Sequence, residues 1–237
     1  MIESLTRPYN ERLFNTDTFR GRMHMARYIW LQEEVKNLGL NNISVLELGC
    51  YDAKAIYFLN NPSKYSGYDA NWEYGLDIAR ETWKEKPEYT FHECNMAAEF
   101  NPAGEKFDIT VCQETLEHLR NPDLLEYIKR MAMATKQYSF ITVPNEQGFF
   151  FFLKYMFKKL TQGKSEEYNF KELMLTTFGM PHKVTRSLTD HKGFSYKELR
   201  GQLSEYFDIV YEKGVPFKWL PKSLSFSICI LLKPKKI

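Results

Sequence analysis

Short apolar runs alternate with longer amphipathic stretches along this chain, in one consistent order from residue 43 to residue 143. Residues 43–48, 65–68, 89–93, 107–112 and 138–143 are rich in β-branched and aromatic side chains and short enough to be strands. Between them lie stretches of helical spacing at 53–59, 72–84 and from Pro122 to about residue 135. Asn60-Asn61-Pro62 breaks the first of these, and Asn121-Pro122 marks the start of the last. Ahead of them all, Met23, Ala26, Ile29, Trp30 and Val35 recur near helical spacing between Thr18 and Leu38, and Gly39 ends the run. Strands that alternate with helices in this way predict a parallel sheet wrapped on both faces. Right-handed crossovers then gather the strands' carboxyl ends along one edge.

The pattern loosens between Gln147 and Lys192, too long a span for an ordinary connection, so an insertion with structure of its own is expected there. It opens on Phe149-Phe150-Phe151-Phe152-Leu153 and continues through Tyr155, Met156, Phe157 and Leu160. Regularity resumes with a predicted helix over 195–207, a strand over 208–211 and a last strand over 225–232. The aromatic opening has three readings: a helix over a pocket mouth, a wall shaped for an apolar or lipid-linked molecule, or a face for a bilayer surface. Lys154, Lys158 and Lys159, interleaved with the aromatics, keep the third reading open.

Composition narrows the function. At 43% hydrophobic and 26% charged, the 237 residues can fill a core and do not have the make-up of a disordered chain. Thirty-two basic against 30 acidic residues leave a net charge of +2, too balanced for a protein that binds nucleic acid by neutralising phosphates. Small soluble substrates or a protein partner fit better. Cys50, Cys94, Cys112 and Cys229 are scattered without paired spacing, so reduced thiols are expected, with neither a disulfide framework nor a metal site. Residues 1–12 mix charges of both signs without an apolar core, unlike a signal peptide. No stretch approaches the roughly 20 apolar residues of a membrane span. A cytoplasmic location is the expectation.

The chemistry concentrates at the strand ends. Val45-Leu46-Glu47-Leu48-Gly49-Cys50 ends in an acid and a glycine, and Tyr65-Ser66-Gly67-Tyr68-Asp69 ends in a second acid. Two adjacent parallel strands that finish so would hold a nucleoside-like ligand, with Asp69 placed to accept from ribose hydroxyls. A dinucleotide site would want glycine at Tyr51 and Lys54, so a pyrophosphate cofactor fits poorly. Asp69 could also cap the helix that starts near Trp72.

These residues carry a family resemblance. Val45-Leu46-Glu47-Leu48-Gly49-Cys50 resembles the first motif of class I S-adenosylmethionine-dependent methyltransferases. Phe107-Asp108-Ile109-Thr110-Val111-Cys112-Gln113-Glu114-Thr115-Leu116-Glu117-His118 resembles their fourth-strand motif, in matching order and spacing. The likeness is fullest between residues 40 and 145. One departure is that the family's usual Gly-x-Gly stands here as Tyr51-Asp52-Ala53. The resemblance implies an α/β, Rossmann-like fold: a seven-stranded, mostly parallel sheet with helices on both faces and an α-helical lid inserted before a final antiparallel strand pair. It implies one methyltransferase domain over 1–237, made of an N-terminal helical segment (1–40), a cofactor-binding core (41–146), a lid or acceptor insertion (147–192) and a C-terminal helix with the strand pair (193–237).

The implied cofactor is S-adenosyl-L-methionine. Asp69, with Ala70 beside it, would take the ribose; Asn95 would meet the adenine edge, and Met96 the ring plane. Glu47 and Gly49 would orient the loop and receive the amino group, helped by the backbone at Cys112 and Gln113. Cys50 would line the loop, and Tyr51 either stacks along the methionine or faces solvent. Because the sulfonium already activates the methyl group, the protein's task is in-line positioning and, for a hydroxyl acceptor, removal of a proton. His118, after the fourth strand, and His191, where the lid returns, are the candidate bases. Either could instead be structural. Asp190 could orient either ring, and His182 ranks below both.

The expected reaction is methyl transfer to an oxygen of a small or carrier-linked acceptor, with a sugar of a surface glycan or its precursor favoured. A quinone or secondary metabolite is the alternative acceptor, and a non-catalytic S-adenosylmethionine-binding scaffold the alternative role. The oligomeric state is left open.

Overall fold

The computed structural model describes residues 14–102, 104–162, 168–187 and 191–236. Seven strands form one sheet: β1 Ser44–Leu48, β2 Lys64–Asp69, β3 Tyr89–Glu93, β4 Phe107–Gln113, β5 Thr135–Pro144, β6 Phe207–Val215 and β7 Ser227–Pro234. Their order is β3-β2-β1-β4-β5-β7-β6. The first five are parallel, and β7 lies antiparallel to both β5 and β6. This is the expected Rossmann-like, mostly parallel sheet, with the expected antiparallel pair at its edge.

Helix α1 Phe19–Asn37 starts where Thr18 accepts from the Gly21 N–H at 3.0 Å, satisfying one of the first turn's free donors. It buries Trp30, Leu31 and Val35 on one face of the sheet, beside Val45, Val111 and Phe140. Helix α2 Gly75–Thr82 adds Leu76 and Ala79 to that layer. Helices α3 Asp123–Ala134 and α6 Tyr196–Tyr206 cover the opposite face with Tyr127, Ile128, Met131, Leu199 and Leu203. Each such buried aliphatic side chain contributes about 1.5–3 kcal/mol. The central strands are therefore apolar on both sides, and β1, β4 and β5 stay buried through their carboxyl ends.

Two expected helices are shorter than the pattern predicts. The segment read as a helix over 53–59 is one 3₁₀ turn, Lys54–Phe58, because Ala53 is left-handed at φ 57° and too few residues follow to propagate a helix. The segment over 72–84 splits into a 3₁₀ turn and α2, because Glu73 and Tyr74 take φ 48° and 61°. Strand β5 is longer than expected, starting at Thr135 directly after α3. The insertion contains α4 Gly148–Gln162 and α5 Phe170–Thr177, the latter opened by a capping box of Asn169 and Glu172. Phe151, Tyr155, Tyr168, Leu173 and Val184 form a small core separate from the two sheet layers. Residues 1–12 and Asp190 lie outside the described residues, as do the side chains of Phe150, Phe157 and Lys158.

Candidate active site

Parallel register sets the first half of the site. Leu48 pairs with both Tyr68 and Cys112, so β1, β2 and β4 end at one level, and Asp69 pairs onward with Glu93. The chain leaves β1 through Gly49 at φ 74°, whose N–H donates to the Tyr68 carbonyl at 2.7 Å. A Cβ here would lie 1.9 Å from Thr115 Oγ1, so only glycine fits between the first loop and the turn after β4.

The departure from Gly-x-Gly is absorbed without changing the turn. Tyr51 and Ala53 keep φ 49° and 57°, the left-handed conformations glycine would favour, at a cost of about 1–2 kcal/mol each. The Tyr51 ring lies across Gly75, where a Cβ would come within 2.4 Å of it, and 6.3 Å from the Trp72 ring. Its N–H donates to Asp69 Oδ2 at 3.0 Å.

That bond ties up one Asp69 oxygen. The other, Oδ1, is buried and accepts no hydrogen bond. Burial raises the Asp69 pKa, against the backbone N–H groups of Tyr51, Trp72 and Asn71. An orphaned buried acceptor at the end of β2 is the point at which this chain fits a ribose hydroxyl.

The other residues read as cofactor contacts are spread around this point. Glu47 is buried in β1 and accepts from the Tyr65 hydroxyl; burial pushes its carboxyl up to about 8, although the Tyr65 bond opposes the shift. Asp52 and Asp69 raise it further, so Glu47 and Asp69 share one acidic neighbourhood without touching a common donor. Cys50 and Cys112 are buried, and burial lifts both thiols well above the ordinary range. Gln113 donates from Nε2 to the Arg27 carbonyl at 3.4 Å and leaves Oε1 buried and unpaired. Ala70, Asn95 and Met96 are exposed, and the Asn95 amide donates to Glu93 at 3.3 Å.

The second half is assembled by long-range contacts. After β4 the chain turns through Glu114 at φ 54° into a 3₁₀ turn, Leu116–His118. Arg186, on the returning end of the insertion, donates to the carbonyls of Glu117 (2.5 Å) and Leu119 (3.2 Å). Arg120 reciprocates with bonds to the carbonyls of Arg186 (2.9 Å) and Ser187. Gly193 completes the fold-back at φ 76°, where a Cβ would meet Arg186 Cα at 2.9 Å.

The clamp brings His118 and His191 together, with Nε2 atoms 3.3 Å apart. Glu117 Oε1 lies 3.8 Å from His118 Nε2 and 3.9 Å from His191 Nε2. On its other side, His191 Nδ1 faces Glu146 Oε1 at 3.6 Å, and Lys154 donates to the same oxygen at 2.5 Å. Burial raises the Glu117 carboxyl to about 8, with Glu114 adding to it. Glu146 is lowered to about 2, since Lys154 and His191 outweigh its burial. His191 rises to about 9, because Glu146 and Glu117 overcome the cost of burying its charge. The sequence reading named the two histidines but missed Glu117, Glu146 and the arginine pair. An acid directly before His118 was the signal for Glu117; nothing local marks Glu146. His182, on the 3₁₀ turn Pro181–Lys183, is exposed and takes no part.

Comparison with known proteins agrees with this fold. Residues 45–138 match the methyltransferase domain family. No curated protein matches the chain in sequence. Among solved structures, the PH0226 protein of Pyrococcus horikoshii OT3 is 14% identical with a TM-score of 0.63, over 99% of each chain. Magnesium protoporphyrin IX methyltransferase from Synechocystis PCC 6803, solved with bound S-adenosylhomocysteine, is 12% identical with a TM-score of 0.58, over 91% of this chain and 88% of that one. The N-methyltransferase NodS from Bradyrhizobium japonicum WM9, solved with the same ligand, is 13% identical with a TM-score of 0.56, over 96% of each. The fold is that of class I S-adenosylmethionine-dependent methyltransferases, and the strand ends that frame Asp69 lie within the matched domain.

Proposed function

We propose that this chain transfers the methyl group of S-adenosylmethionine to an oxygen of a small or carrier-linked acceptor, with a sugar hydroxyl of a surface glycan or its precursor as the favoured class. S-adenosylmethionine is the methyl donor of this domain; when bound, it supplies a sulfonium-activated methyl group. Asp69 Oδ1 accepts from its ribose, Ala70, Asn95 and Met96 border the adenine, and the turn from Gly49 to Tyr51 holds the methionine. Glu47, Cys112 and Gln113 back that end of the pocket.

The observation that carries the oxygen-acceptor reading is the meeting of His118 and His191 just beyond β4. Oxygen acceptors need a proton removed, and an imidazole in its neutral form removes it. His118 is open to solvent, with its side chain 46% exposed, and is therefore reachable by an incoming hydroxyl. The insertion supports a carrier-linked acceptor, because α4 leaves Phe149, Leu153 and Leu160 exposed on its surface. A carrier lipid or a bilayer face would lie there.

The test is a labelled-methyl transfer screen against nucleotide sugars and lipid-linked glycans, run beside quinones and amines. Transfer to a sugar hydroxyl bears the reading out. Transfer confined to amines, or none with S-adenosylhomocysteine still bound, would overturn it, and the second result would favour a cofactor-binding scaffold.

A further inference from the structure

The cluster of Glu117, His118 and His191 has a property that acid–base catalysis does not require. Glu117 is 1% exposed, and neither of its carboxylate oxygens accepts a hydrogen bond. A buried carboxylate without a donor is costly, and one facing two imidazole nitrogens calls for an explanation. The three donor atoms form a triangle with sides of 3.3, 3.8 and 3.9 Å. The point equidistant from its corners is about 2.1 Å from each, the length of a bond from a first-row metal to imidazole nitrogen or carboxylate oxygen.

The surroundings complete the pattern. His191 presents Nε2 to that point while Nδ1 faces Glu146, which Lys154 holds in place. A carboxylate behind the far nitrogen of a ligating histidine fixes its tautomer and strengthens it as a donor. Glu114 Oε1, buried and without a hydrogen-bond partner, is a further oxygen in the same electrostatic neighbourhood. The half-exposed His118 leaves one side open to solvent, as in catalytic rather than structural metal sites.

We propose that Glu117, His118 and His191 bind a divalent first-row transition metal ion, with Glu146 as the positioning residue behind His191. Two nitrogen donors and one carboxylate favour the Mn²⁺-to-Zn²⁺ series over Mg²⁺ or Ca²⁺. Resting on the methyl-transfer reading above, the inference deepens it: the cation would take the acceptor hydroxyl at its open position and acidify it. The hydroxyl proton then passes to water as the oxygen–methyl bond forms, and the carbon–sulfur electron pair stays on sulfur, leaving S-adenosylhomocysteine. With the cation in place, the proton-removing role given above to an imidazole passes to the cation and its water, and the two rings serve as ligands.

The experiment uses tag-free full-length chain stripped by chelator and titrated with Co²⁺, read by visible absorption, with Zn²⁺ competition read by calorimetry. The expected result is about one Co²⁺ per chain in a site displaced by Zn²⁺. His118→Ala, at a solvent-exposed position that tolerates truncation, and Glu117→Gln should each weaken binding by roughly 100-fold or more, and Glu146→Gln by roughly 10- to 100-fold. No saturable binding by the wild-type chain, or equal binding by His118→Ala and the wild type, would overturn the proposal. S-adenosylhomocysteine titration of the same samples separates the two readings. Co²⁺ binding without S-adenosylhomocysteine binding keeps the metal site and sinks the methyl-donor reading, whereas the reverse keeps the donor and sinks the metal.

Discussion

Glu47 and Glu117 share complete burial and a carboxyl pushed up to about 8, yet they keep different company. Glu47 sits within β1 and has the Tyr65 hydroxyl as its donor. Glu117 sits in a turn, with no donor and two imidazoles opposite. Burial sets the shift in both places; the partner decides what the group is for. The strand-end half of the site is organised by strand register and backbone bonds, so its buried acid is settled into the sheet. The half beyond β4 is held by two arginines that bond across the fold, and the oxygens of its buried acid accept no hydrogen bond.

This contrast can be broken from either side. The largest effect expected is on turnover: His118→Ala should lower it by roughly 10²–10⁴-fold while S-adenosylhomocysteine affinity stays unchanged. Steady-state kinetics beside calorimetry checks this, and a parallel loss of affinity would mean that the two halves are not separate. Asp69→Ala should do the reverse, weakening S-adenosylhomocysteine by about 1.5–3 kcal/mol through loss of a charge-assisted acceptor. An unchanged dissociation constant would remove Asp69 from the site.

The two glutamates sharpen the comparison further. Glu47→Ala strands the Tyr65 hydroxyl inside the sheet and should cost about 1–3 kcal/mol in denaturant unfolding. Glu117→Gln strands no donor, so its unfolding free energy should match or exceed that of the wild type. Equal losses in both variants would show that the two carboxylates are alike after all. The last test concerns pH. Glu47 binds its proton more tightly folded than unfolded, so the folded state holds the extra proton between about pH 4.5 and 8, and stability should fall as pH rises across that window. Glu47→Gln should flatten that part of the slope in melting temperature measured against pH, and an unaltered slope would assign it to other groups.

What was legible in the sequence follows the same division. The five parallel strands, and the acid that ends β2 at Asp69, were readable because period, glycine and strand-end acid are local signals. The two short helices after β1 and β2 were misjudged, because left-handed residues at Ala53, Glu73 and Tyr74 carry no glycine to announce them. The roles proposed for His118 and His191 rest on single positions 73 residues apart, and their contact depends on Arg120, Arg186 and Gly193 acting together. No period or spacing encodes that. Tyr51 and Ala53 read as a departure, yet the backbone takes the shape glycine would have given.

The reciprocal grip of Arg120 and Arg186 falls on main-chain oxygens alone. Every amino acid supplies such an oxygen, so Glu117, Leu119 and Ser187 could be replaced without loss of an acceptor, whereas Arg120, Arg186 and Gly193 are fixed by the grip itself. The anchoring of His191 is therefore indifferent to the side chains at the gripped positions and dependent on the two arginines that do the gripping.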